Sequence, residues 1–365
     1  MPDILPREHL RAVERTNERH ERRDRFICLD RNERASPFSE ALMRQMLSEL
    51  TPRDLMAYPD PGSFVSRLSA QVGLGEDWIC ETAGSDAAVR RLLMAFLKPG
   101  QTVLFANPSY AMYEIYTRIF EGIPRSVDYL MDRSLDIEAF LAAIGPDVSV
   151  VIIANPNQPT GTALPLPALE RVATRAAQVG ALCIVDEAYY PFHAETMLPF
   201  VGRLSNLIVT RTLSKYPGVA GLRLGYAVGL PSLMKGLTAV RGGSEVSGVS
   251  LALGCYLLDH PEIAEEFHAA VDAGRKILVE AARPLGFDVL PCVTNFQLLR
   301  SPPGIDVDEV TRALERRGYL VKSGFSHPCM RRCMRISVNG PDVMAPFTVA
   351  FIAAVEEVSA ISRCR

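Results

Sequence analysis

Residues 149–189 read SVVIIANPNQPTGTALPLPALERVATRAAQVGALCIVDEAY. An apolar run over Ser149–Ala154 is followed by a turn-rich loop, a helical pattern over Pro167–Gln178 and a second apolar run over Ala181–Asp186. Runs that consist almost entirely of Val, Ile and Leu are typical of strands buried on both faces. This stretch therefore predicts a strand–helix–strand unit with two parallel strands.

The same alternation continues on both sides of this unit. Further candidate strands are Trp78–Thr82, Thr102–Ala106, Leu207–Arg211 and Arg223–Gly229, with helical patterns at Ala87–Leu97, Tyr110–Phe120 and Ile137–Ala143. After Gly242 the pattern changes to a long helix, a strand, a helix, two short strands and a closing helix. We expect an α/β protein with a mainly parallel sheet in a large domain over 48–242. A smaller α+β domain would be formed by 1–47 together with 243–365.

The composition narrows the class of protein. The chain has 365 residues, 48% of them hydrophobic, and a net charge of -3, so we expect a large core and no concentrated basic face for nucleic acid. The eight cysteines lack paired spacing, and the N-terminus lacks an apolar signal core. The apolar runs are too short or too interrupted to cross a bilayer. These features predict a cytoplasmic protein with reduced cysteines and no membrane partner.

Polar residues cluster where the predicted strands end. Ser85 and Asp86 open a helix directly after a strand, which suits an anion site but equally an ordinary helix cap. Asp186 ends an otherwise apolar strand, where a buried carboxylate needs a partner. A protonated pyridine nitrogen would be a suitable partner, and Tyr189 could then donate a hydrogen bond to another edge of the same ring. Alternatively, Asp186 caps a helix or forms a surface ion pair. The Asn155–Gly161 loop is either a plain turn or a rigid support for Asn157.

A lysine stands among phosphate-type ligands at the end of another strand. Thr212 and Ser214 offer hydroxyls, and Arg223 offers a planar cationic fork. A lone lysine is normally a solvated surface residue. Between apolar strands, however, the pKa of Lys215 would fall enough for it to act as a nucleophile and a base.

Competing motifs are missing from the sequence. It contains no phosphate-binding P-loop, no strand-linked dinucleotide fingerprint and no nucleophile elbow. His327, Cys329 and Cys333 do not match the usual zinc spacing, and two arginines separate the cysteines. We expect no metal.

With these residues in place, the sequence resembles the fold type I pyridoxal-phosphate-dependent aminotransferases, and within this class I/II family the histidinol-phosphate aminotransferase group. The resemblance runs from about Leu29 to the closing helix. It is carried, in this order, by Asn155–Gly161, Val185–Tyr189, Arg211–Lys215, Gly221–Tyr226 and Met334–Val338.

The resemblance implies a role for each site residue. Lys215 matches the lysine that forms the Schiff base with the cofactor, and Asp186 matches the acid that keeps the pyridine nitrogen protonated. Tyr189 and Asn157 match the pair that bonds the ring hydroxyl, and Tyr110 matches the aromatic residue that stacks on the ring. The residues that match the phosphate grip are Ser85, Asp86, Thr212, Ser214 and Arg223.

The resemblance also implies partners and a reaction. Tyr58 matches a tyrosine that reaches the phosphate of the neighbouring subunit, which implies a homodimer with shared active sites. Arg335, Lys322 and Asn32 match substrate-binding positions, although Lys322 stands where arginine is common and Gln158 where asparagine is common. The implied activity is transfer of an amino group between a small amino compound, anionic or phosphorylated as in histidinol phosphate, and a 2-oxo acid.

Three other functions compete with the aminotransferase. A decarboxylase resembling the threonine-phosphate decarboxylases would use the same core residues, because the bond that breaks depends on substrate alignment. A pyridoxal-phosphate-sensing regulator would need an added DNA-binding domain, for which residues 1–28 are too short. A catalytically silent scaffold would not be expected to retain both Lys215 and Asp186.

Overall fold

The computed structural model describes residues 7–11, 13 and 23–363. The strands are β1 (Ile27–Cys28), β2 (Ile79–Thr82), β3 (Thr102–Asn107), β4 (Ile123–Asp128), β5 (Val148–Ala154), β6 (Leu182–Asp186), β7 (Leu207–Thr212), β8 (Gly225–Val228), β9 (Asp288–Leu290), β10 (Phe296–Arg300), β11 (Tyr319–Leu320) and β12 (Cys333–Ser337).

The α-helices are α1 (Glu8–Arg11), α2 (Glu40–Ser48), α3 (Pro52–Met56), α4 (Gly62–Val72), α5 (Ser85–Phe96), α6 (Met112–Ile119), α7 (Ile137–Ala143), α8 (Leu166–Gln178), α9 (Pro231–Ala239), α10 (Gly248–Asp259), α11 (Glu262–Ala282), α12 (Val307–Arg316) and α13 (Pro341–Arg363). Short 3-10 helices lie at Arg23–Arg25, Glu76–Trp78, Leu198–Phe200, Ala220–Leu222, Arg283–Leu285 and Pro328–Met330.

The large sheet has the strand order β2-β8-β7-β6-β5-β3-β4. Strands β3 to β7 pair in parallel, and β8 runs antiparallel to both of its neighbours. The predicted α/β class with a mainly parallel sheet is therefore confirmed. The parallel strands β3, β5, β6 and β7 bring their carboxyl ends to one edge, where ligands of such sheets bind.

Both faces of this sheet are covered by helices. Alternate side chains along β5, such as Ile152 and Ile153, enter separate hydrophobic clusters on the two faces. One cluster packs against α4, α7, α8 and α10, and the other against α5, α6 and α9. Burial on both sides explains why the central strands are nearly continuous in Val, Ile and Leu.

A second, smaller unit carries its own hydrophobic core. It contains the antiparallel sheet β12-β10-β9, the two-stranded sheet β1-β11 and the helices α11, α12 and α13. Within the described residues, Pro341–Ala360 is the one helical stretch long and apolar enough to cross a membrane. Its Met344, Phe347 and Phe351 are fully buried in this core, which accounts for its apolar composition.

The predicted domain boundaries stay a prediction. Helix α10 lies just beyond the predicted end of the large domain at residue 242, yet its Leu251 and Leu257 join a core cluster of the large sheet. The predicted N-terminal part over 1–47 includes residues 1–6, 12 and 14–22, which lie outside the described residues.

Candidate active site

A cavity of about 970 Å³ opens at the carboxyl edge of the large sheet, between the two units. It brings together residues that are far apart in the sequence. Of the predicted site residues, those that line it are Asn32, Ser85, Asp86, Tyr110, Asp186, Tyr189, Thr212, Ser214, Lys215, Arg223, Lys322 and Arg335.

Lys215 lies half-buried in the wall of this cavity, just after β7. Its Nζ donates a hydrogen bond to the carbonyl oxygen of Arg31 at 2.7 Å. Burial, and next the cation of Arg335, lower the pKa of Lys215 from 10.5 to about 8, against a smaller opposing effect of Glu33. The amine is therefore neutral over a wider pH range than that of a surface lysine.

Asp186 is buried at the carboxyl end of β6. Each of its carboxylate oxygens accepts one hydroxyl hydrogen bond: Oδ2 from Tyr113 at 2.8 Å and Oδ1 from Thr210 at 2.9 Å. Burial raises the pKa of Asp186 to about 6, while both hydroxyl donors work in the opposite direction. A cation that contacted this carboxylate would favour its ionised form.

A cradle of donors lies where α5 begins. Ser85 is the first residue of this helix, whose N-terminal amides favour an anion. The Thr212 and Ser214 hydroxyls are 3.0 Å apart, and Arg223 donates to Ser214 Oγ at 3.4 Å. Gly84 has a φ of 85°, and a Cβ added to it would lie 3.1 Å from the Arg223 guanidinium. The cradle therefore keeps room at a point where any side chain would crowd it.

Tyr110 is held by the neighbouring acid. It donates its hydroxyl to Asp86 Oδ1 at 3.0 Å, and Tyr116 donates to Oδ2 of the same carboxylate at 2.8 Å. The Tyr110 ring meets the Tyr113 ring edge-on, with centroids 5.6 Å apart. The side chain of Asp86 thus orients two tyrosines in addition to lining the cavity.

The substrate-side positions meet at the boundary of the two units. Arg335 is buried, donates to the carbonyl oxygen of Asp30 at 2.6 Å and lies over the Phe296 ring. Lys322 pairs with it through two backbone hydrogen bonds. Asn32 donates to the Tyr189 hydroxyl at 2.7 Å and has a φ of 56°, a left-handed conformation that asparagine tolerates. Two cationic side chains therefore line the same cavity as the predicted catalytic tyrosine.

Asn157 lies outside the cavity lining. Its amide nitrogen donates to the carbonyl oxygen of Pro108 and to Thr160 Oγ1, both at 2.9 Å, and its oxygen accepts from Ser109 at 2.6 Å. Both amide hydrogens are thus engaged inside the loop, and the side chain is buried. The next residue, Gln158, lines the cavity instead. In this structure the loop therefore offers Gln158 to a ligand, and the predicted contact of Asn157 with a cofactor has no free donor.

The signal for Gln158 was present in the sequence. It is the position at which the chain departs from the asparagine common in the family that it resembles, and the sequence analysis assigned it no contact with a ligand. Tyr58 is the second predicted residue outside the cavity. It is 92% exposed and borders a separate cavity of about 500 Å³.

Comparison with known proteins places this geometry in a family. The model of the family described as aminotransferase class I and II matches residues 28–346. The chain belongs to the class I and II aminotransferase family. The matched range includes every predicted site residue.

Relatives in the family share a substantial part of the sequence. A histidinol-phosphate aminotransferase of Burkholderia lata is 33% identical over 342 residues, which cover 90% of this chain and 92% of the relative. A histidinol-phosphate aminotransferase of Caldanaerobacter subterraneus subsp. tengcongensis is 30% identical over 317 residues, covering 86% and 89%. These relatives are aminotransferases, which favours the predicted aminotransferase over the decarboxylase alternative.

Solved structures share the fold. The histidinol-phosphate aminotransferase of Sinorhizobium meliloti, in complex with pyridoxal-5'-phosphate, has a TM-score of 0.80 at 23% identity and covers 90% of this chain and 91% of its own. A variant of the Thermus thermophilus aspartate aminotransferase has a TM-score of 0.79 at 20% identity, covering 97% and 100%. The predicted fold type I architecture is therefore confirmed. Family membership also confirms the predicted enzyme class and its cofactor, pyridoxal phosphate.

The cavity of this aminotransferase fits that cofactor by the chemistry of its donors. A phosphate needs cationic and hydroxyl donors, which the cradle at Gly84 supplies together with the room it leaves free. A cationic ring needs a carboxylate, which Asp186 supplies, and an aldehyde needs an amine, which Lys215 supplies. All three lie in the wall of one cavity.

Proposed function

We propose that this aminotransferase moves an amino group between a small amino compound that carries an anionic group and a 2-oxo acid, with Lys215, Asp186 and Tyr189 as its catalytic residues. One observation carries the proposal. A single cavity joins an amine of lowered pKa, a buried carboxylate, an anion cradle and the guanidinium of Arg335.

Different residues of the cavity would bind different parts of the cofactor. When bound, pyridoxal phosphate supplies an aldehyde that condenses with amines and a cationic ring that withdraws electrons from the substrate α-carbon. Tyr110 would pack against the ring, and Gln158 would offer its amide to the cofactor. The cradle would hold the phosphate through the amides at the start of α5 and the side chains of Ser85, Thr212, Ser214 and Arg223.

Lys215 and Asp186 handle protons at opposite sides of the cavity. The Nζ of Lys215 is neutral in a large fraction of molecules near pH 8, so it can accept a proton from the substrate α-carbon and return one. The Asp186 carboxylate would hold a proton on the ring nitrogen by its charge. Tyr189, whose hydroxyl already accepts from Asn32, can donate its own proton to the ring hydroxyl.

The charges around Arg335 support an anionic substrate. Arg335 is buried, and Lys322 adds a second cation beside it in the cavity wall. A planar guanidinium binds a carboxylate or phosphate through two parallel hydrogen bonds. Since the relatives named above are histidinol-phosphate aminotransferases, histidinol phosphate is the first amino donor to test.

A pair of donors that differ only in the anion tests this substrate class. Purified protein is mixed with histidinol phosphate or with histidinol, and conversion of the cofactor to its amine form is followed by absorbance. We expect the phosphorylated donor to react at least about tenfold faster, as one charge-assisted contact would give. The Arg335→Gln variant should lose this preference. Equal rates with both donors in the parent protein would contradict the role of Arg335.

A test of Lys215 complements the substrate test. The Lys215→Ala variant should bind the cofactor without a covalent link, so that borohydride fixes the cofactor to the parent protein but not to the variant. Turnover by the variant at the parent rate would contradict the proposed role of Lys215.

We further infer that the chain works as a cytoplasmic homodimer in which Tyr58 completes the partner's site. Tyr58 does not reach the cavity of its own chain and is 92% exposed. Nearby Leu55 and Met56 are 76% and 84% exposed. Such a group of bare apolar side chains is typical of a surface that a second copy covers.

A further inference from the structure

Tyr113 is a buried residue of the site that the proposed mechanism does not use. It lies on α6, is fully buried and forms part of the cavity lining. Its ring packs in the cluster between the sheet and α5, where a phenylalanine would satisfy the apolar neighbours equally well. The hydroxyl therefore needs an explanation of its own.

The Tyr113 hydroxyl donates its hydrogen bond to the Oδ2 atom of Asp186 at 2.8 Å. Thr210 binds the other oxygen at 2.9 Å from the adjacent strand β7. With a donor on each oxygen, the carboxylate cannot turn about its Cβ–Cγ bond without breaking a hydrogen bond. Each oxygen still keeps a lone pair for one more donor.

The charged and titratable groups around Asp186 make this contact important for its ionisation. Asp86 on α5 and Glu187, the next residue after β6, both repel a negative charge on Asp186 and so raise its pKa. Tyr110 and Tyr189 also face it, but as neutral phenols. Burial also raises the pKa of Asp186, whereas the hydrogen bonds from the Tyr113 and Thr210 hydroxyls lower it. The pKa of Tyr113 itself is raised by burial and by Asp186, so it remains a donor at working pH.

We propose that Tyr113 is a positioning residue for transamination, because its hydroxyl holds Asp186 ionised and oriented toward the cofactor ring. The inference rests on the proposed pairing of Asp186 with the ring nitrogen. Three tyrosines recur at intervals of three residues here: Tyr110 lies just before α6, and Tyr113 and Tyr116 lie within it. Tyr113 contacts the acid at the ring-nitrogen side, and the other two contact Asp86 next to the phosphate cradle.

The experiment removes one oxygen atom in Tyr113→Phe and follows two quantities. In the cofactor-free protein, ¹³C NMR of labelled aspartate carboxyls, assigned with Asp186→Asn, gives the titration midpoint of Asp186. We expect this midpoint to rise by about one to two pH units, as loss of a hydrogen bond to a charged group would cause. In the loaded enzyme we expect kcat to fall about tenfold or more, with little change in KM.

Matched variants separate this role from packing. Tyr116→Phe removes the same atom from the same helix but contacts Asp86, so the Asp186 midpoint should stay at the parent value. Thr210→Val removes the donor on the other oxygen and should raise the midpoint, which keeps the idea testable if Tyr113→Phe does not fold.

The possible results distinguish failure of the positioning role of Tyr113 from failure of the proposed pairing of Asp186 with the cofactor ring. An unchanged Asp186 midpoint in Tyr113→Phe, or an equal rise in Tyr116→Phe, overturns the role of Tyr113 alone. A raised midpoint together with full turnover by Asp186→Asn overturns the proposed pairing of Asp186 with the ring, and the positioning role falls with it.

Discussion

Lys215 and Arg335 are linked by charge although they lie in different units of the chain. The Arg335 cation is the second-largest cause, after burial, of the lowered pKa of Lys215. We predict that Arg335→Gln raises the pKa of Lys215 above about 8, because the ammonium form then meets less repulsion. The measurement is the pH dependence of acylation of Lys215 in the cofactor-free protein, read by mass spectrometry of the modified peptide.

A charge-preserving variant is the control for this prediction. Arg335→Lys keeps the cation and should leave the acylation midpoint near that of the parent, while it loses the fork that binds an anionic substrate. If the midpoint of Arg335→Gln does not rise, burial alone sets the pKa of Lys215.

Asp186 should make the cofactor-free protein less stable than a neutral residue would. Its pKa is raised from 3.8 to about 6 on folding, so its contribution to stability is full below pH 3.8 and is lost as the pH rises through 6. We predict that Asp186→Asn is more stable than the parent by about 1–3 kcal/mol at pH 8, and that the gain shrinks toward pH 4. Urea unfolding of both cofactor-free proteins at the two pH values measures this difference.

An exposed carboxyl provides the comparison for Asp186→Asn. Arg125 lowers the pKa of Asp147, so Asp147→Asn should bring no gain at pH 8. A less stable Asp186→Asn at pH 8 would mean that the hydroxyl hydrogen bonds of the carboxylate outweigh its burial.

The sequence was sufficient to bring most of the predicted site residues together in one cavity and insufficient for the loop after β5. Parallel strands end at one edge of a sheet, so Asp186 and Lys215 could be expected in one cavity from their positions alone. The loop after β5 has no regular spacing of apolar residues from which the inward-facing side chain could be predicted. Contacts with Pro108 and Ser109, distant in the sequence, bury Asn157 and leave Gln158 in the wall.

The strands that could be predicted from the sequence are those that are buried on both faces. The central strands are apolar on both faces and were found within a few residues of their observed ends. Strand β4 was missed because it lies at the edge of the sheet, is largely exposed and reads IPRSVD, with a proline that a central strand would not tolerate. Its pairing with β3 comes from the tertiary fold rather than from a local pattern.

The turn between β2 and α5 is the element on which the anion cradle depends. Gly84 has a φ of 85°, and a Cβ there would lie 3.1 Å from the Arg223 guanidinium and 3.7 Å from Thr212 Oγ1. We predict that Gly84→Ala weakens cofactor binding by about tenfold or more, because it combines left-handed strain with crowding of the cradle. Equilibrium dialysis of the cofactor measures the effect.

Gly180, between α8 and β6, offers a matched control. Its φ is 76°, and a Cβ there would meet nothing within 4 Å. Gly180→Ala should therefore show the backbone strain as a lower Tm while it binds the cofactor as the parent does. Equal cofactor affinity in the two variants would remove the steric argument for Gly84.

On the scale of the whole molecule, the substrate side depends on contacts that no local pattern contains. Asn32 reaches Tyr189 across 157 residues of sequence, and Arg335 reaches the carbonyl of Asp30 across 305 residues. The resemblance to a family indicated these positions, whereas periodicity and spacing did not. The second copy of the chain is likewise suggested by Tyr58 and its exposed neighbours rather than by any motif of assembly.

Hybrid dimers test whether Tyr58 serves the partner. One subunit carries Tyr58→Ala and the other Lys215→Ala, each with a different affinity tag. If Tyr58 crosses the interface, the hybrid has one intact site, because the subunit that keeps Lys215 receives the unchanged Tyr58 of its partner. Tag-purified hybrids should then turn over substrate, whereas pure Lys215→Ala dimers should not and pure Tyr58→Ala dimers should bind the cofactor weakly. If Tyr58 acted within its own chain, the hybrid would contain no intact site and would be no more active than the Tyr58→Ala dimer.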